Sequence, residues 1–398
     1  MLSVDEAAAR IAATFTPLKV ETVPIAKAAA RVLAEDAIAA MDQPPAPVSA
    51  MDGYAVHSDD VREVPSRLTL IGEAPAGRPF PGRLCHGHAV RIFTGGVVPE
   101  GADSVVIQED TAREGDVVVL RAAPRIGENV RAQGLDFRAG EVVLTKGHRL
   151  SARDTALLAA ADFADVRVVR KPRVALVMTG DELSRPGEAR QAGGIVASST
   201  YALTAMIEAW GGEAFDLGIL PDRIEAFAGL PAMTRDFDLI VTQGGASVGD
   251  HDLIQRALAP FGFALDFWKI AMRPGKPLIF GHLNGTPLLG LPGNPVSAMV
   301  CAILFVRPAL AAMLGTPYAP EILHAKLASP LKANGARQDY IRTRISLENG
   351  GWIATPFAVQ DSSMQRIFAE ADGLIVRRIG APATDAGDEV DVLMLRDC

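Results

Sequence analysis

Cysteine is scarce: Cys85, Cys301 and Cys398 are the only three in 398 residues. They are odd in number, widely spaced and form no Cys-x-x-Cys pair. Neither a disulfide framework nor a thiolate zinc site is expected, which points to a reducing compartment. An excess of basic charge is missing too. The formal net charge is −8 and the pI near 5.5, which argues against the electropositive footprint of a nucleic-acid surface. The start, Met1-Leu2-Ser3-Val4-Asp5-Glu6, lacks the basic-then-apolar order of a secretory signal. The most apolar run, Val296 to Val306, is bounded by Pro295 and Arg307-Pro308 and reads as too short to span a bilayer. The expectation is a cytoplasmic protein without a membrane or nucleic-acid partner. Phosphate-loop, dinucleotide, Gly-x-Ser-x-Gly and zinc-protease motifs are also missing. Cys85-His86-Gly87-His88 holds soft ligands but not zinc-finger spacing, and reads as a surface loop.

What is present is a globular composition, 49% hydrophobic and 22% charged, in a chain too long for one ordinary core. Ser3 and Glu6 make a capping-box pattern before helically spaced apolar residues. A second, alanine-rich helix is expected over Ile25 to Asp36. Gln43-Pro44-Pro45-Ala46-Pro47 then stiffens the chain as a boundary. From about 48 to 140, short apolar runs between Gly and Pro turns read as a β-rich domain. Ser151 and Asp154 cap another helix, and the helical segments on either side of the β region are expected to pack together, making it an insertion. From Arg173, buried runs Val174–Met178, Leu239–Thr242 and Leu288–Leu291 alternate with helices near 198–210, 222–234 and 250–260. That order implies a doubly wound parallel sheet. Past Pro320 strands return around the turn signal Asn349-Gly350, so a small C-terminal β domain is expected.

Three loops carry the chemistry. Thr179-Gly180-Asp181-Glu182, Gln243 to Asp252 and Pro292-Gly293-Asn294-Pro295 each follow a buried strand, and such loops line one crevice in an open parallel sheet. Asn294 is placed to cap a helix with Pro295 at its first position, leaving backbone N–H groups for a phosphate. Gly244, Gly245 and Gly249 admit close approach of a ligand to the backbone. Asp181, Glu182, Asp250 and Asp252 would repel a bare phosphate, so a bridging magnesium is expected. Lys269, Arg273 and Lys276 supply compensating cations. Asn-Pro at a helix start is ordinarily only a cap, and strand-end glycines are ordinarily turns. Their convergence on one crevice is what points to a phosphorylated or nucleotide-linked ligand.

Five segments bear a resemblance. Ser49-Ala50-Met51-Asp52-Gly53-Tyr54-Ala55-Val56, Arg91 to Gly96, Thr179 to Leu183, Gly244 to Asp250 (Ser247 included) and Gly290 to Ala298 resemble, in order, the molybdopterin molybdenumtransferase family, which includes MoeA and the E domain of gephyrin. The resemblance implies a multidomain α/β fold: an elongated helical domain (1–44 and 140–171), an inserted β domain (45–139), a molybdopterin-binding α/β domain (172–318) and a C-terminal β domain (319–398). It implies a homodimer with shared active sites, other cofactor-biosynthesis proteins as partners, and magnesium- and molybdate-dependent hydrolysis of adenylylated molybdopterin with release of AMP. Glu182, Asp222 and Asp252 would handle magnesium, phosphate or water. Asp52, Thr94, Arg131 and Asp136 would come from the other subunit. Lys269, Arg273 and Lys276 would hold phosphate or molybdate beside Pro292 and Pro295, with Arg337 and Ser362 facing the site from the last domain. A non-enzymatic pterin-binding scaffold and a nucleotide hydrolase sharing only the α/β domain are the competing readings.

Overall fold

The computed structural model describes residues 1–245 and 253–396. It divides into two compact units, one of Met1–Glu21, Ala30–Val32 and Val168–Cys398, the other of Thr22–Ala29 and Leu33–Arg167. The first unit is built on a six-stranded sheet in the order Glu213–Leu220, Arg173–Thr179, Leu239–Gln243, Thr286–Leu291, Ile279–Leu283, Phe263–Trp268. The first four strands are parallel, whereas the last two run antiparallel to their neighbours. The doubly wound parallel sheet is therefore mixed at one edge. Arg173–Thr179 lies between the two strands that follow it in the chain, so the winding reverses between it and Leu239–Gln243. Ligands bind at such a switch point.

The helices Val4–Ala13, Ser199–Ala209 and Pro295–Leu314 pack on this sheet, sharing one core with Leu176, Val241 and Leu289. Pro295–Leu314 is longer than the apolar run suggests. It has 20 residues and a mean hydropathy of 2.0, enough by length and composition to cross a membrane, but 78% of its most apolar window is buried inside the protein. The chain continues past Arg307-Pro308 because the winding widens to a π-helix over Ala302–Val306, just ahead of the proline that cannot donate to the ladder.

In the same unit, Gln338–Glu348, Gly351–Pro356, Ile322–Leu327, Glu389–Met394 and Gly373–Arg377 pair in a closed ring, because Gly373–Arg377 also pairs with Gln338–Glu348. Ala325, Leu327, Ala354, Ile375 and Val392 fill the interior of this barrel. The expected Asn349-Gly350 hairpin turn takes φ of 49° and 79°, as a two-residue turn of that kind requires. Met272–Arg273 adds a sixth strand, parallel to Gln338–Glu348.

The second unit holds another six-stranded sheet, ordered Ser104–Ile107, Gly53–Val56, His88–Ile92, Ser66–Ala74, Val117–Leu120, Thr111–Glu114. Alternate residues, Tyr54 and Val56 against Ala55, or Val106 against Val105, enter two separate apolar clusters. The period of two thus buries both faces. Cys85 and His86 are exposed, with Asp60 binding the His86 ring and the Gly87 N–H at 2.9 Å each, so this loop lies on the surface as expected.

Two helix expectations need correction, and a third, that the helical segments flanking the β region pack together, holds only in part. Over Ile25 to Asp36 only Ile25–Lys27 is helical, and Ala30 has a φ of 63°. Leu33 N–H and Ala34 N–H donate instead to the carbonyls of His148 and Arg167, so tertiary pairing overrides alanine's helix propensity. Near 222–234 the helix divides at Ala228-Gly229 into a 3-10 segment, Ile224–Phe227, and an α-helical turn, Leu230–Met233, with Pro231 in its first turn. Val4–Ala13 packs into the α/β core, while Ile25–Lys27 packs on Ala152–Ala160.

Ala152–Ala160 starts at a complete capping box between Ser151 and Asp154, and His148 Nε2 also bonds Asp154 Oδ2 at 2.9 Å. Hydrogen bonds from Ser151 and then His148 hold the Asp154 carboxyl down to about 2. A depressed carboxyl stabilises the fold above its ordinary value near 4 and loses that contribution as pH falls toward 2. Asp154→Ala is expected to cost about 1 kcal/mol at neutral pH. Acid titrations followed by circular dichroism should show the variant losing less stability than the wild type between pH 4 and 2. A wild-type-like profile would mean that the cap contributes nothing.

Candidate functional site

The switch point opens into a cavity of about 990 Å³ in the first unit. Its floor comes from the strand ends. Thr179, Gly244 and Gly245 meet there, and Gly244 has a φ of 95° with room for no β-carbon, which would lie 2.4 Å from the Thr179 carbonyl. Gln243 is almost wholly buried beneath them, its side-chain amide donating to Ser199 Oγ and the Gly293 carbonyl at 3.0 Å each. It therefore ties the second strand's end to the third loop and to a helix start.

Carboxylates and cations share this cavity. Glu182 and Asp222 line it, while Asp181 accepts the Asp222 backbone N–H at 3.3 Å from outside the lining. Burial first, then the charges of Glu182 and Asp181, push the Asp222 carboxyl above its usual range. Arg273, Lys276 and Arg337 bring positive charge to the same cavity. Asn334 fixes the last of these by donating from its side-chain amide to the Arg337 carbonyl at 2.8 Å. Among the described residues no group of three or more His, Cys, Asp or Glu side chains is placed to hold a metal ion.

The helix start at Asn294-Pro295 differs in detail from expectation. Asn294 has the extended backbone of a cap and Pro295 occupies the first turn, but the Asn294 amide donates to Ser362 Oγ at 2.8 Å rather than capping its own helix. Val296 N–H is likewise taken, by the Ser362 carbonyl at 3.2 Å. The barrel loop Gln360–Ser363 is thus docked on the helix end that was expected to be free. Arg342 holds that loop. It is 2% exposed, and its guanidinium donates to Gln360 Oε1 and to the Asp361 carbonyl at 3.1 and 2.7 Å. Burial of this arginine lowers its pKa from the usual value.

Of the expected residues, Glu182, Asp222, Gly244, Gly245, Arg273, Lys276, Pro292, Gly293, Asn294, Pro295, Arg337 and Ser362 line the one cavity. Gly180 and Asp181 form the adjoining turn. Lys269 does not line it: its Nζ lies 3.5 Å from the centroid of the Trp268 ring, where a cation is attracted to the ring face. Ser247 and Asp252, with Gly249 and Asp250, lie outside the described residues. Asp52, Thr94, Arg131 and Asp136 belong to the second unit. There Thr94 donates its N–H and hydroxyl to Asp52 Oδ1 at 2.7 and 2.8 Å, and these bonds, backbone first, hold the Asp52 carboxyl below its usual range. Arg131 pairs across Val48, Asp136 N–H bonds the Gln43 carbonyl, and both side chains are exposed. Ser199, Gln360 and Arg342 are not singled out in the sequence, and Gln243 is read there as the start of a loop, not as the buried end of a strand. Their partners are distant in sequence, and only the polar residue ending an otherwise apolar strand could have flagged Gln243.

Three family descriptions match the chain end to end: the MoeA N-terminal region (domain I and II) over residues 2–161, the probable molybdopterin binding domain over 175–312, and the MoeA C-terminal region (domain IV) over 324–395. The molybdopterin molybdenumtransferase of Haemophilus influenzae is 34% identical over 98% of each chain. That of Nostoc sp. is 36% identical over 94% of this chain and 88% of its own. The crystal structure of the molybdopterin biosynthesis moeA protein from Pyrococcus horikoshii superposes with a TM-score of 0.84 at 30% identity, covering 99% of this chain and 100% of that one.

Proposed function

The chain belongs to the molybdopterin molybdenumtransferase family, and on that premise we propose that its cavity binds adenylylated molybdopterin together with molybdate. It is a transferase enzyme of molybdenum-cofactor biosynthesis. Near-full-length likeness to transferases favours neither the scaffold nor the hydrolase reading. In the proposed reaction the phosphate link is hydrolysed, AMP leaves, and molybdenum remains on the pterin's own sulfurs. The observation that carries the reading is one cavity at a switch point lined by the carboxylates of Glu182 and Asp222 together with the cations Arg273, Lys276 and Arg337.

Magnesium is ordinarily held by one or two carboxylates together with substrate phosphate oxygens. Glu182 and Asp222 fit that donor set; burial chiefly, then repulsion from Glu182 and Asp181, raises the Asp222 carboxyl, and a dication would relieve the repulsion. When bound, the ion would neutralise charge on the phosphoryl oxygens. Arg273, Lys276 and Arg337 would hold phosphate or molybdate; Lys269, which stands over Trp268 outside the lining, is proposed on the family motif alone. Ser247 and Asp252 are proposed on the family motif alone. The proposal includes the four-part division of the chain, a cytoplasmic homodimer, and completion of each site by Asp52, Thr94, Arg131 and Asp136 of the other subunit. Other cofactor-biosynthesis proteins would supply the substrate. The test is AMP release from adenylylated molybdopterin with magnesium and molybdate; none under conditions that support a known relative would sink it.

Asp222→Asn separates metal binding from folding. A raised carboxyl makes the folded state less stable as pH climbs past the ordinary value near 4. The variant is therefore expected to unfold at a higher temperature than the wild type at neutral pH in chelator, yet to gain less stability from added magnesium. Thermal unfolding with and without magnesium checks both. Equal magnesium stabilisation in the two proteins would remove Asp222 from the metal site.

A further inference from the structure

The ladder joining Met272–Arg273 to the barrel sets Arg273 directly beside Asp339. Asp339 is 5% exposed, whereas the Arg273 side chain is 61% exposed and lines the cavity. Arg273 Nε donates to Asp339 Oδ1 at 2.9 Å, and one Nη donates to Asp339 Oδ2. A pair of this form occupies the Nε side of the guanidinium and leaves the edge between its two Nη atoms for another acceptor. An ion pair to so exposed an arginine contributes little to stability. Its geometric effect is larger. A side chain with several rotatable bonds is held in one orientation by a carboxylate that is itself fixed in a strand.

We propose that Asp339 is a positioning residue for oxyanion binding: it directs the free Nη edge of Arg273 at two oxygens of a tetrahedral oxyanion. It also offsets much of that guanidinium's charge, so Arg273 itself contributes to selection by hydrogen-bond geometry more than by charge, beside Lys276 and Arg337. The inference rests on the cavity being the site for molybdate and phosphoryl oxygens. Removing the carboxylate has two effects of opposite sign. The guanidinium loses its orientation, which weakens the geometrically matched anion. The site gains a positive charge, which favours any small dianion, sulfate included. Discrimination falls even where overall anion affinity does not.

The experiment is a double-mutant cycle on Asp339→Asn and Arg273→Lys, reading kcat, the molybdate KM and inhibition by sulfate. Asp339→Asn is expected to reduce the preference for molybdate over sulfate about tenfold, the size of one misaligned charge-assisted pair, with kcat changed less than about twofold. With lysine at 273 there is no fork to orient, so adding Asp339→Asn should change the preference less than about twofold. Equal effects in both backgrounds would show that Asp339 does not act through Arg273. So would a loss confined to kcat and unfolding temperature. Asp339→Glu, which keeps the charge but displaces the carboxylate, replaces the asparagine variant in the cycle if that variant does not fold; it predicts the same coupling. Calorimetric binding of molybdate alone to the full chain separates this inference from the reaction assigned above. Molybdate binding that depends on Asp339 in a protein releasing no AMP would sink the reaction and keep the inference. AMP release with molybdate affinity and selectivity indifferent to Asp339 would do the reverse.

Discussion

Glu182→Gln is expected to lower AMP release by about 10²–10⁴-fold, the range for loss of a positioned acid–base or metal-binding carboxylate, while shifting the unfolding temperature by only a few degrees. The asymmetry follows from where the side chain lies. Glu182 is exposed, lines the cavity, and sits on a turn rather than in a core. Glutamine preserves its volume but cannot carry the negative charge that a magnesium ion or an attacking water's proton would need. Folding loses nothing large, because an exposed carboxylate beside two others contributes repulsion rather than cohesion. Glu182 is the larger of the two charges that hold the Asp222 carboxyl up. Glutamine at 182 should therefore bring Asp222 closer to its ordinary titration, which nuclear magnetic resonance of the carboxyl carbon can follow. Steady-state AMP release and thermal unfolding on the same preparation decide the matter. A wild-type rate would show that the chemistry lies elsewhere, and equal losses of rate and stability would make Glu182 structural.

Most of this crevice is legible in the amino-acid sequence, for a physical reason. The runs ending at Thr179, Gln243 and Leu291 are buried on both faces, so their sequences are unbroken apolar stretches whose ends announce the loops. Parallel order then brings those ends together without further information. The turn at Asn349-Gly350 and the capping boxes at Ser3 and Ser151 were legible for a similar reason, since each is made by residues within a few positions. What local patterning could not contain are contacts between distant segments. Asp339 lies 66 residues from Arg273, and Ser362 lies 68 from the Asn294 it bonds. Nothing near Asn294 reveals that a barrel loop covers its helix end. The alanine-rich stretch after Ile25 failed in the same manner: its propensity is helical, but its N–H groups are claimed by residues more than a hundred positions away. The family likeness supplied what neither periodicity nor geometry contains, namely the pterin and molybdate.

Mixing two inactive variants should restore activity if sites are shared between subunits. Asp52 and Thr94 make a preformed polar pair in the second unit: one carboxylate oxygen receives two hydrogen bonds, is held ionised, and retains its other oxygen for a ligand. Asp52→Asn keeps the shape but removes the charge, so it is expected to abolish most turnover without unfolding the protein, as Glu182→Gln does. The two differ in which half of a site they spoil. In a mixed dimer, one site contains both defects, whereas the other combines an intact Glu182 from one subunit with an intact Asp52 from its partner. Random reassociation of equal amounts makes about half the dimers mixed, so about a quarter of wild-type activity should return under two-fold symmetry. Dissociating and refolding the variants together, with each refolded alone as the control, gives the measurement. Sites built within one chain predict no recovery, because every chain then carries one of the two lesions in its only site. Recovery near a quarter would place Asp52 and Glu182 of the same site on different subunits. No recovery, in dimers shown by mass to have mixed, would return Asp52 to the chain that bears it.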